Sequence, residues 1–535
     1  MLAAEMTVAS AVVLAPTIFM GATFAHLVQA AAGKVGQAPR ILTEGRVGRA
    51  VALNTLGGGV ASALFLFFLP LLGSKWTLVL IGIGYLSLLP QFAEWRWGFV
   101  IGAAGLIFAL PAKLQMLRVP PEERVTRFLE GVMASVAVVE DARGDRVLRV
   151  DNRFQMGGTA AAAAEYRHAH IPLLLHPSPR RALFLGLGTG ITFGAATLHP
   201  LLQSDGVELV PEVVQVMREF EPCNLAPDRQ PPLKIFVADA RRFVRSANAT
   251  YDVIVADLFH PARDGAGSLY TLEHFRAIRR RLSRGGLFCQ WLPLHQLDED
   301  MLRVITRTFL EVFPNAQAWL LRFNVDAPVL GLVGSLESPR YTTQWVEQRL
   351  SDAGLARELR KLALADSIRL FGNLLVGSRG LRELSANAPL NTDDRPRVAF
   401  GAPRFVVQQG ATPYGRLLTL LKLGAPNPSE VIGLDSAADA DQFATRLTRY
   451  WNARKIYLTG LVEEAQGRQA RAIDLFVECA RLSDDFTMGY AQCLTLASAL
   501  ARTRPAEARA LLERLIEAQP SRPVAKEMLE RLFDK

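Results

Sequence analysis

The chain has 535 residues, of which 50% are hydrophobic and 21% charged, and it carries four cysteines and a formal net charge of +9. The apolar content excludes an intrinsically disordered chain, and so few cysteines exclude a small disulfide scaffold. The length predicts three or four structural units at about 150 residues per domain. The positive charge divides almost evenly between residues 1–117 and the rest of the chain, so it indicates no nucleic-acid partner.

Residues 1–117 are poor in charge, and we predict a transmembrane region of about four helices there. Met6 to Gly33 carries no charged residue and exceeds the roughly 20 residues that cross a bilayer as a helix. Ala50 to Phe92 predicts two spans that meet in a turn near Gly73, and Trp97 to Ala112 predicts a shorter fourth span. These spans predict a multi-pass protein of the cell (inner) membrane, with the lipid bilayer as a partner.

Two folded regions are predicted after the membrane region. Residues 118–160 indicate a small β-strand module, because Gly131–Val139 and Arg146–Val150 are strand-like and flank an Asp-Ala-Arg-Gly turn. Residues 161–403 alternate apolar strands with helical segments, which predicts a doubly wound, Rossmann-like α/β domain with a parallel sheet. The strands predicted first in this domain are 181–185, 205–209, 233–237 and 251–256.

The end of the chain is predicted to be helical. Residues 404–450 are rich in Gly, Pro and Ser and indicate a linker that is partly helical. Residues 451–535 predict a tetratricopeptide-like repeat that can hold a protein partner, because Ala472–Phe476 recurs 36 positions later as Ala508–Leu512. The alternative is an ordinary helical tail packed on the preceding domain. The predicted fold class is therefore multi-domain, with transmembrane helices, a small β module, a Rossmann-like domain and a C-terminal α-helical repeat.

A glycine-rich run from Leu183 to Gly190 carries the most informative chemical signal. Its glycines follow an apolar strand and let the backbone turn sharply and approach a ligand. Acidic residues end the next three strands, and the carboxyl ends of parallel strands converge on one crevice. The candidate ligand-binding residues are thus Gly186, Gly188, Gly190, Glu208, Asp239 and Asp257.

The spacing of these residues indicates a nucleoside ligand. Glu208 follows Gly188 by 20 residues, the distance at which a carboxylate can accept hydrogen bonds from both ribose hydroxyls. The order of glycine loop, ribose acid, adenine-side acid and catalytic acid is typical of enzymes that use S-adenosylmethionine or its decarboxylated form. Hydride transfer with a dinucleotide is less favoured, because Ile191 stands where the third glycine of that fingerprint would be.

Several runs carry a specific family resemblance. The runs are Tyr251–Pro261, Ser268–Phe275, Leu282–Leu292 and Asn391–Pro396. They resemble the spermidine synthase (polyamine aminopropyltransferase) family, and more narrowly its bacterial members that are fused to a multi-span membrane region.

The resemblance implies transfer of an aminopropyl group from decarboxylated S-adenosylmethionine to a small amine such as putrescine, without a metal. It implies that Asp257 is the catalytic residue, which holds the amine and accepts its proton. The residues implied to bind the donor are Gly186, Gly188, Gly190, Glu208, Asp239, Ala240 and Gln155. Those implied to contact the acceptor are Asp257, His260, Tyr270 and Tyr166. A homo-oligomer is compatible with the resemblance.

The sequence departs from the family pattern at three places. Thr189 stands where the family's loop has an Asp that binds the donor's amine, and His260 replaces the second acid near Asp257. Ala164 and Tyr166 replace a Tyr and a Glu. Because a polycation favours several carboxylates, these losses keep two alternatives open. One is a methyltransferase that uses S-adenosylmethionine on a membrane-associated acceptor, and the other is a non-catalytic membrane scaffold.

Two histidines on one segment, His168 and His170, could suggest a metal site. No Cys or acid stands at a fitting spacing, so they are predicted to be core or pocket residues.

The charge pattern gives conflicting signals for orientation. The basic loop from Lys34 to Arg49 favours the cytoplasm, which after four spans would place the remaining chain outside. The flank from Lys113 to Arg127 is also basic. Because both nucleoside donors are made in the cytosol, the catalytic domain is predicted to lie on the cytoplasmic face.

Overall fold

The computed structural model describes scattered residues before Arg40 and most of the chain after it. The longest described run before Arg40 is 20–26, and the later ranges are 40–87, 96–111, 119–152, 154–200, 202–263, 265–337, 341–407, 412–424, 426–428 and 437–533, with the single residues 117 and 433. The chain divides into two compact units, Met1–Met156 and Gly157–Lys535.

The first unit begins with two apolar helices, α1 (Arg40–Ser87) and α2 (Arg96–Ala109). Within α1, Gly73 leaves the helical conformation with a φ of 74°, at the place where a turn between two spans is predicted. Among the described residues, Gly48–Gly84 is the one helix long and apolar enough to cross a membrane, and its apolar side chains are largely exposed. In the predicted span from Met6 to Gly33, the described residues, which include the run 20–26, are all helical, and the rest of the span lies outside the described residues.

Polar contacts gather where α1 is interrupted. The backbone N–H of Ser74 donates to Glu130 Oε2 at 2.9 Å, and the Ser74 hydroxyl donates to the other oxygen of the same carboxylate. Lys75 Nζ donates to the carbonyl of Leu110 at 2.9 Å, just after α2. The carboxylate of Glu130 therefore caps the helical segment that restarts at Ser74.

The first unit also contains a four-stranded sheet in the order β1-β2-β3-β4. Its strands are β1 (Arg124–Glu130), β2 (Ser135–Glu140), β3 (Arg146–Val150) and β4 (Phe154–Gly158). The pairs β1/β2 and β2/β3 are antiparallel. Val136, Val138, Leu148 and Val150 are buried and form its core.

The second unit is built on an eight-stranded sheet in the order β12-β10-β11-β9-β8-β5-β6-β7. The strands are β5 (Arg181–Leu185), β6 (Gln203–Glu208), β7 (Leu233–Val237), β8 (Tyr251–Ala256), β9 (Leu282–Pro293), β10 (Gln317–Leu320), β11 (Val329–Ser335) and β12 (Leu374–Val376). Strands β5 to β9 are parallel, while β11 pairs antiparallel with β9, and β10 pairs antiparallel with both β11 and β12. The predicted Rossmann-like sheet is confirmed.

Helices occupy the connections between these strands. They are α3 (Ala162–Leu174), α4 (Ile191–Gly194), α5 (Pro211–Val216), α6 (Ala240–Ser246), α7 (Leu272–Arg279), α8 (Glu299–Val312), α9 (Thr343–Arg349), α10 (Ala353–Lys361), α11 (Ser367–Phe371), α12 (Ser378–Ser385) and α13 (Arg397–Val407). The chain runs outward from β5 through β6 to β7 and then returns to the other side of β5 as β8. This reversal opens a crevice beyond the carboxyl ends of β5 and β8, where ligands of such sheets bind.

The remaining helices belong to the same compact unit as the sheet. They are α14 (Gly415–Lys422), α15 (Ala437–Ala465), α16 (Gln469–Leu482), α17 (Met488–Leu500), α18 (Pro505–Ala518) and α19 (Val524–Phe533), and from α15 onward each packs on the next. The segment 404–450, predicted as a linker, thus contains α14 and the start of α15. The tetratricopeptide type of the repeat stays a prediction.

Helix α15 is anchored in the core of the α/β domain. Trp451 Nε1 donates to the carbonyl of Phe371 at 3.0 Å. The buried guanidinium of Arg454 donates to the carbonyls of Gly372 and Leu374 at 2.5 and 2.6 Å. These carbonyls precede or begin β12, so α15 packs on the outermost strand of the sheet as an integral part of the domain.

Candidate functional site

The glycine-rich loop follows β5 and begins the crevice. Gly186, Gly188 and Gly190 all have positive φ, at 82°, 51° and 80°. A Cβ atom at Gly186 would lie 3.0 Å from the ring of Phe259 and 3.5 Å from Asp257 Cβ. The loop therefore passes close to the end of β8 in a conformation that favours glycine.

Glu208 ties this loop to the neighbouring strand. It ends β6, is 3% exposed, and its Oε2 accepts the N–H groups of Leu187 and Gly188 at 3.0 and 3.3 Å. Its Oε1 accepts the N–H of Val210 at 3.0 Å. A carboxylate has about four acceptor positions, so Glu208 fixes the loop and retains capacity for one ligand hydroxyl.

Asp239 lies at the end of β7 and caps α6. Its side chain accepts the N–H of Arg242 at 2.7 Å, and Ala240 is the first residue of the helix. The neighbouring Ala238 donates its N–H to the carbonyl of Glu208 at 2.9 Å. The structure thus places Asp239 and Ala240 beside the end of β6, on the far side of Glu208 from the glycine loop.

Asp257 directly follows β8 and keeps 25% of its side chain exposed. Its Oδ1 accepts the N–H of Leu258 at 2.8 Å and lies 3.3 Å from Nδ1 of His168. His168 is buried, and its ring packs on Trp291 with centroids 5.1 Å apart. The indole N–H of Trp291 donates to the backbone carbonyl of His168 at 3.1 Å, which joins β9 to α3 beside the carboxylate.

Glu165, on the first turn of α3, is a site residue that the sequence analysis missed. Its carboxylate accepts the hydroxyl of Thr189 and the N–H of Gly158, the latter at 2.9 Å. Burial raises the pKa of Glu165 to about 7; the two hydrogen bonds oppose this shift, and the nearby charge of Asp257 adds to it. Thr189 was the sequence feature that could have indicated Glu165. Where the family has an Asp, a Thr hydroxyl can donate a hydrogen bond to a carboxylate from another element.

Gln290 is a buried polar residue on the strand next to the one that Asp257 follows. It lies on β9 in register with Ala256, the residue before Asp257. Gln290 is fully buried, and its Oε1 has no hydrogen-bond partner among the described residues. An unsatisfied buried acceptor is costly, so this position favours a ligand that donates a hydrogen bond.

The residues that were predicted to contact the acceptor differ in their positions relative to Asp257. Tyr270 is buried and donates its hydroxyl to the carbonyl of Phe259 at 2.7 Å, and burial together with the Asp257 charge raises its pKa. Asn391 Nδ2 donates to the Tyr270 carbonyl at 2.9 Å. The Tyr270 side chain thus fixes the backbone after Asp257, in the loop that also carries the half-buried His260.

Two of the predicted ligand-binding residues have no described contact with Asp257. The hydroxyl of Tyr166 donates to the carbonyl of Cys223 at 2.7 Å, its ring stacks on His170 with centroids 6.0 Å apart, and burial raises its pKa to about 12. Gln155 lies on β4, in the first compact unit, and its role stays a prediction. In the part of the chain that the structure describes, no group of three or more His, Cys, Asp or Glu residues is placed to hold a metal ion.

Known proteins resemble this part of the chain. Residues 165–322 match the family model of the spermine/spermidine synthase domain. A polyamine aminopropyltransferase of Moorella thermoacetica is 32% identical over 192 residues, which are 35% of this chain and 65% of that protein. A polyamine aminopropyltransferase of Synechococcus sp. is 31% identical over 230 residues, which are 41% of this chain and 72% of that protein.

A solved structure is also similar, the complex of a spermidine synthase with the transition-state analogue AdoDATO. It has 19% sequence identity and a TM-score of 0.42, over 49% of this chain and 88% of that one. The chain spans between 60% and 65% of the length of the first curated relatives that it matches.

Proposed function

The chain belongs to the spermine/spermidine synthase family, and on that premise we propose that it transfers an aminopropyl group from decarboxylated S-adenosylmethionine to a small amine such as putrescine. The observation that carries the proposal is the position of Asp257. Its carboxylate is partly exposed, lies against the glycine-rich loop and contacts a buried imidazole. A carboxylate placed there can hold an amine next to a nucleoside that is bound along the loop.

The donor half of the crevice suits a nucleoside sulfonium. Glu208 has acceptor capacity left for a ribose hydroxyl, and the glycines leave the loop backbone open to the ligand. Asp239 and Ala240 border the same strand ends, where the adenine edge would lie. These contacts orient the methylene carbon beside the sulfonium toward Asp257.

The proposed reaction is a direct displacement. The lone pair of the neutral amine attacks the methylene carbon next to the sulfonium, and the new N–C bond forms as the C–S bond breaks. The electrons of the C–S bond remain on sulfur, so 5′-methylthioadenosine leaves as a neutral thioether. Asp257 accepts the proton that the amine must lose, and His168 keeps its carboxylate oriented. The chemistry requires alignment and a proton acceptor rather than a metal.

The cellular setting is part of the proposal. We propose a multi-pass membrane protein, and helix α1 supports its association with a membrane. The cytosolic origin of the donor favours a catalytic domain on the cytoplasmic face. The C-terminal helices offer a surface for a protein partner. Cysteine labelling of residues 113–127 in intact cells tests the orientation; labelling from outside by an impermeant reagent would contradict it.

The activity is tested on the full-length protein in detergent. Decarboxylated S-adenosylmethionine is supplied with a panel of diamines and monoamines, and the release of 5′-methylthioadenosine is measured. We expect release with at least one amine, loss of release in Asp257→Asn, and full activity in the control Glu311→Gln, whose carboxylate pairs with Arg307 on the surface of α8. No release with any amine would contradict the proposal. Methyl transfer from S-adenosylmethionine would favour the methyltransferase alternative.

A further inference from the structure

The carboxylate of Glu165 has no cationic partner among the described residues. Its two oxygens accept hydrogen bonds from neutral groups, the Thr189 hydroxyl and the Gly158 N–H. Among the described residues, no Lys, Arg or His side chain forms an ion pair with it. Asp257 is the charged group from another element that acts on Glu165, and its charge is negative. A carboxylate set among protein atoms favours a partner of opposite charge.

The surrounding polar groups are also unsatisfied. Neither ring nitrogen of the buried His168 makes a hydrogen bond within the described residues, although its Nδ1 faces Asp257 at 3.3 Å. The buried Oε1 of Gln290 is unpartnered beside the same strand end. His168 lies on α3, one turn after Glu165, whereas Gln290 lies on β9, in register with the residue before Asp257. Buried groups of this kind require a ligand or water to satisfy them.

We propose that Glu165, held by Thr189, binds the ammonium group of the decarboxylated donor and thereby selects it over S-adenosylmethionine. This inference rests on the proposed function. The decarboxylated donor ends in an ammonium group alone, whereas the amino-acid end of S-adenosylmethionine also carries a carboxylate. That carboxylate would face Glu165 and Asp257 as a like charge, while the lone ammonium is attracted by them. The acid that the glycine loop lacks at Thr189 is therefore supplied by α3.

The ionisation of Glu165 adds a pH dependence to this selection. Because its pKa is raised to about 7, mainly by burial, the carboxyl is only partly ionised at neutral pH. An ammonium group binds the ionised form, so affinity for the decarboxylated donor is expected to increase as the pH rises from about 6 to about 8. The charged group that acts on Glu165 is Asp257, which follows β8 and which in turn contacts His168, one turn further along α3. A ligand without the amine is not expected to follow this pH dependence.

Calorimetry on the full-length protein tests the inference with three ligands. Decarboxylated S-adenosylmethionine has the ammonium group, S-adenosylmethionine has the ammonium and carboxylate groups, and 5′-methylthioadenosine has neither. In Glu165→Gln we expect the preference for the decarboxylated donor over S-adenosylmethionine to fall by about tenfold or more, because a charge-assisted hydrogen bond is lost. Binding of 5′-methylthioadenosine should change by less than about twofold. The control Glu311→Gln should leave all three affinities unchanged.

A double variant separates charge recognition from loop support. The double variant Glu165→Gln with Thr189→Asp places the carboxylate at position 189 instead of position 165, next to the same site. We expect it to restore most of the lost preference for the decarboxylated donor over S-adenosylmethionine. An unchanged preference in Glu165→Gln would overturn the inference, as would an equal loss of 5′-methylthioadenosine binding or a double variant that restores nothing. If none of the three ligands binds the wild-type protein, the proposed function itself fails, and that result is distinct from each of these.

Discussion

The two halves of the crevice differ in how their polar groups are satisfied. On the donor side, three backbone N–H groups bind the carboxylate of Glu208 and hold the glycine loop on β6. Around Asp257, Glu165 has no ion-pair partner and Gln290 has an unpartnered oxygen, within the residues that the structure describes. The surroundings of Glu208 are therefore preorganised without ligand, whereas the surroundings of Asp257 have polar groups that a ligand would satisfy.

Removing the carboxylate of Asp257 is expected to have the largest effect on the reaction rate and little effect on nucleoside binding. Asp257→Asn keeps the size of the side chain but removes the proton acceptor, so kcat should fall by about 10²- to 10⁴-fold. The affinity for 5′-methylthioadenosine should remain within about threefold, because the donor side is intact. Release assays and calorimetry on the same preparation measure both quantities. An equal loss of nucleoside binding would mean that the two halves are not separable.

Glu208→Gln should affect the donor side first. The amide keeps one acceptor oxygen, but it loses the charge that three N–H groups bind, so nucleoside affinity should fall about 10- to 100-fold. We also expect a loss of stability of about 1–3 kcal/mol, since the loop anchor is weakened. Calorimetry and denaturant unfolding measure these changes. Unchanged stability would contradict the idea that Glu208 preorganises the loop.

His168→Gln tests the orientation of the proton acceptor. Because His168 contacts Asp257 and packs on Trp291, we expect kcat to fall about tenfold while the KM for the donor stays constant. The pH profile of kcat should also change shape, which a general loss of packing would not produce. A fall in kcat that is matched by a loss of folded protein in circular dichroism would contradict this role.

The smallest expected effect is on stability in Glu165→Gln. The raised pKa of Glu165 means that the folded protein favours the neutral acid, so its contribution to stability is complete below the ordinary pKa of 4.5 and is lost as the pH rises through about 7. The glutamine variant has no such loss. It should therefore be more stable than the wild type at alkaline pH, by on the order of 1–2 kcal/mol, and similar to it under acid conditions. Thermal unfolding at several pH values measures this, and an opposite sign would contradict the environment described for Glu165.

Part of the crevice could be predicted from the sequence because its residues lie within local motifs. Gly186, Glu208 and Asp257 each stand at the end of an apolar strand, and parallel strands bring their carboxyl ends together. The fold class of the α/β domain followed from the same alternation. The burial of His168 agrees with the prediction of a core or pocket residue, but its contact with Asp257 and the position of Glu165 could not be predicted, because both depend on how α3 packs across the sheet and no local pattern records that packing.

The C-terminal helices illustrate the same limit. A repeat of apolar positions predicts helices that pack on one another, and from α15 to α19 each helix packs on the next. The sequence pattern does not reveal that Trp451 and Arg454 insert into the α/β domain. Those contacts depend on backbone carbonyls at the edge of the sheet, which have no signature in side-chain periodicity.

The anchoring of α15 changes how the C-terminal region can be studied. Arg454 and Trp451 satisfy carbonyl groups next to β12, the last strand at that side of the sheet. A protein shortened before α15 would expose these carbonyls and an unprotected strand edge, which is prone to pair with other chains. Loss of a phenotype after such a deletion would therefore measure aggregation of the catalytic domain. A partner of the C-terminal helices has to be sought with substitutions on their outer surface, in a chain of full length.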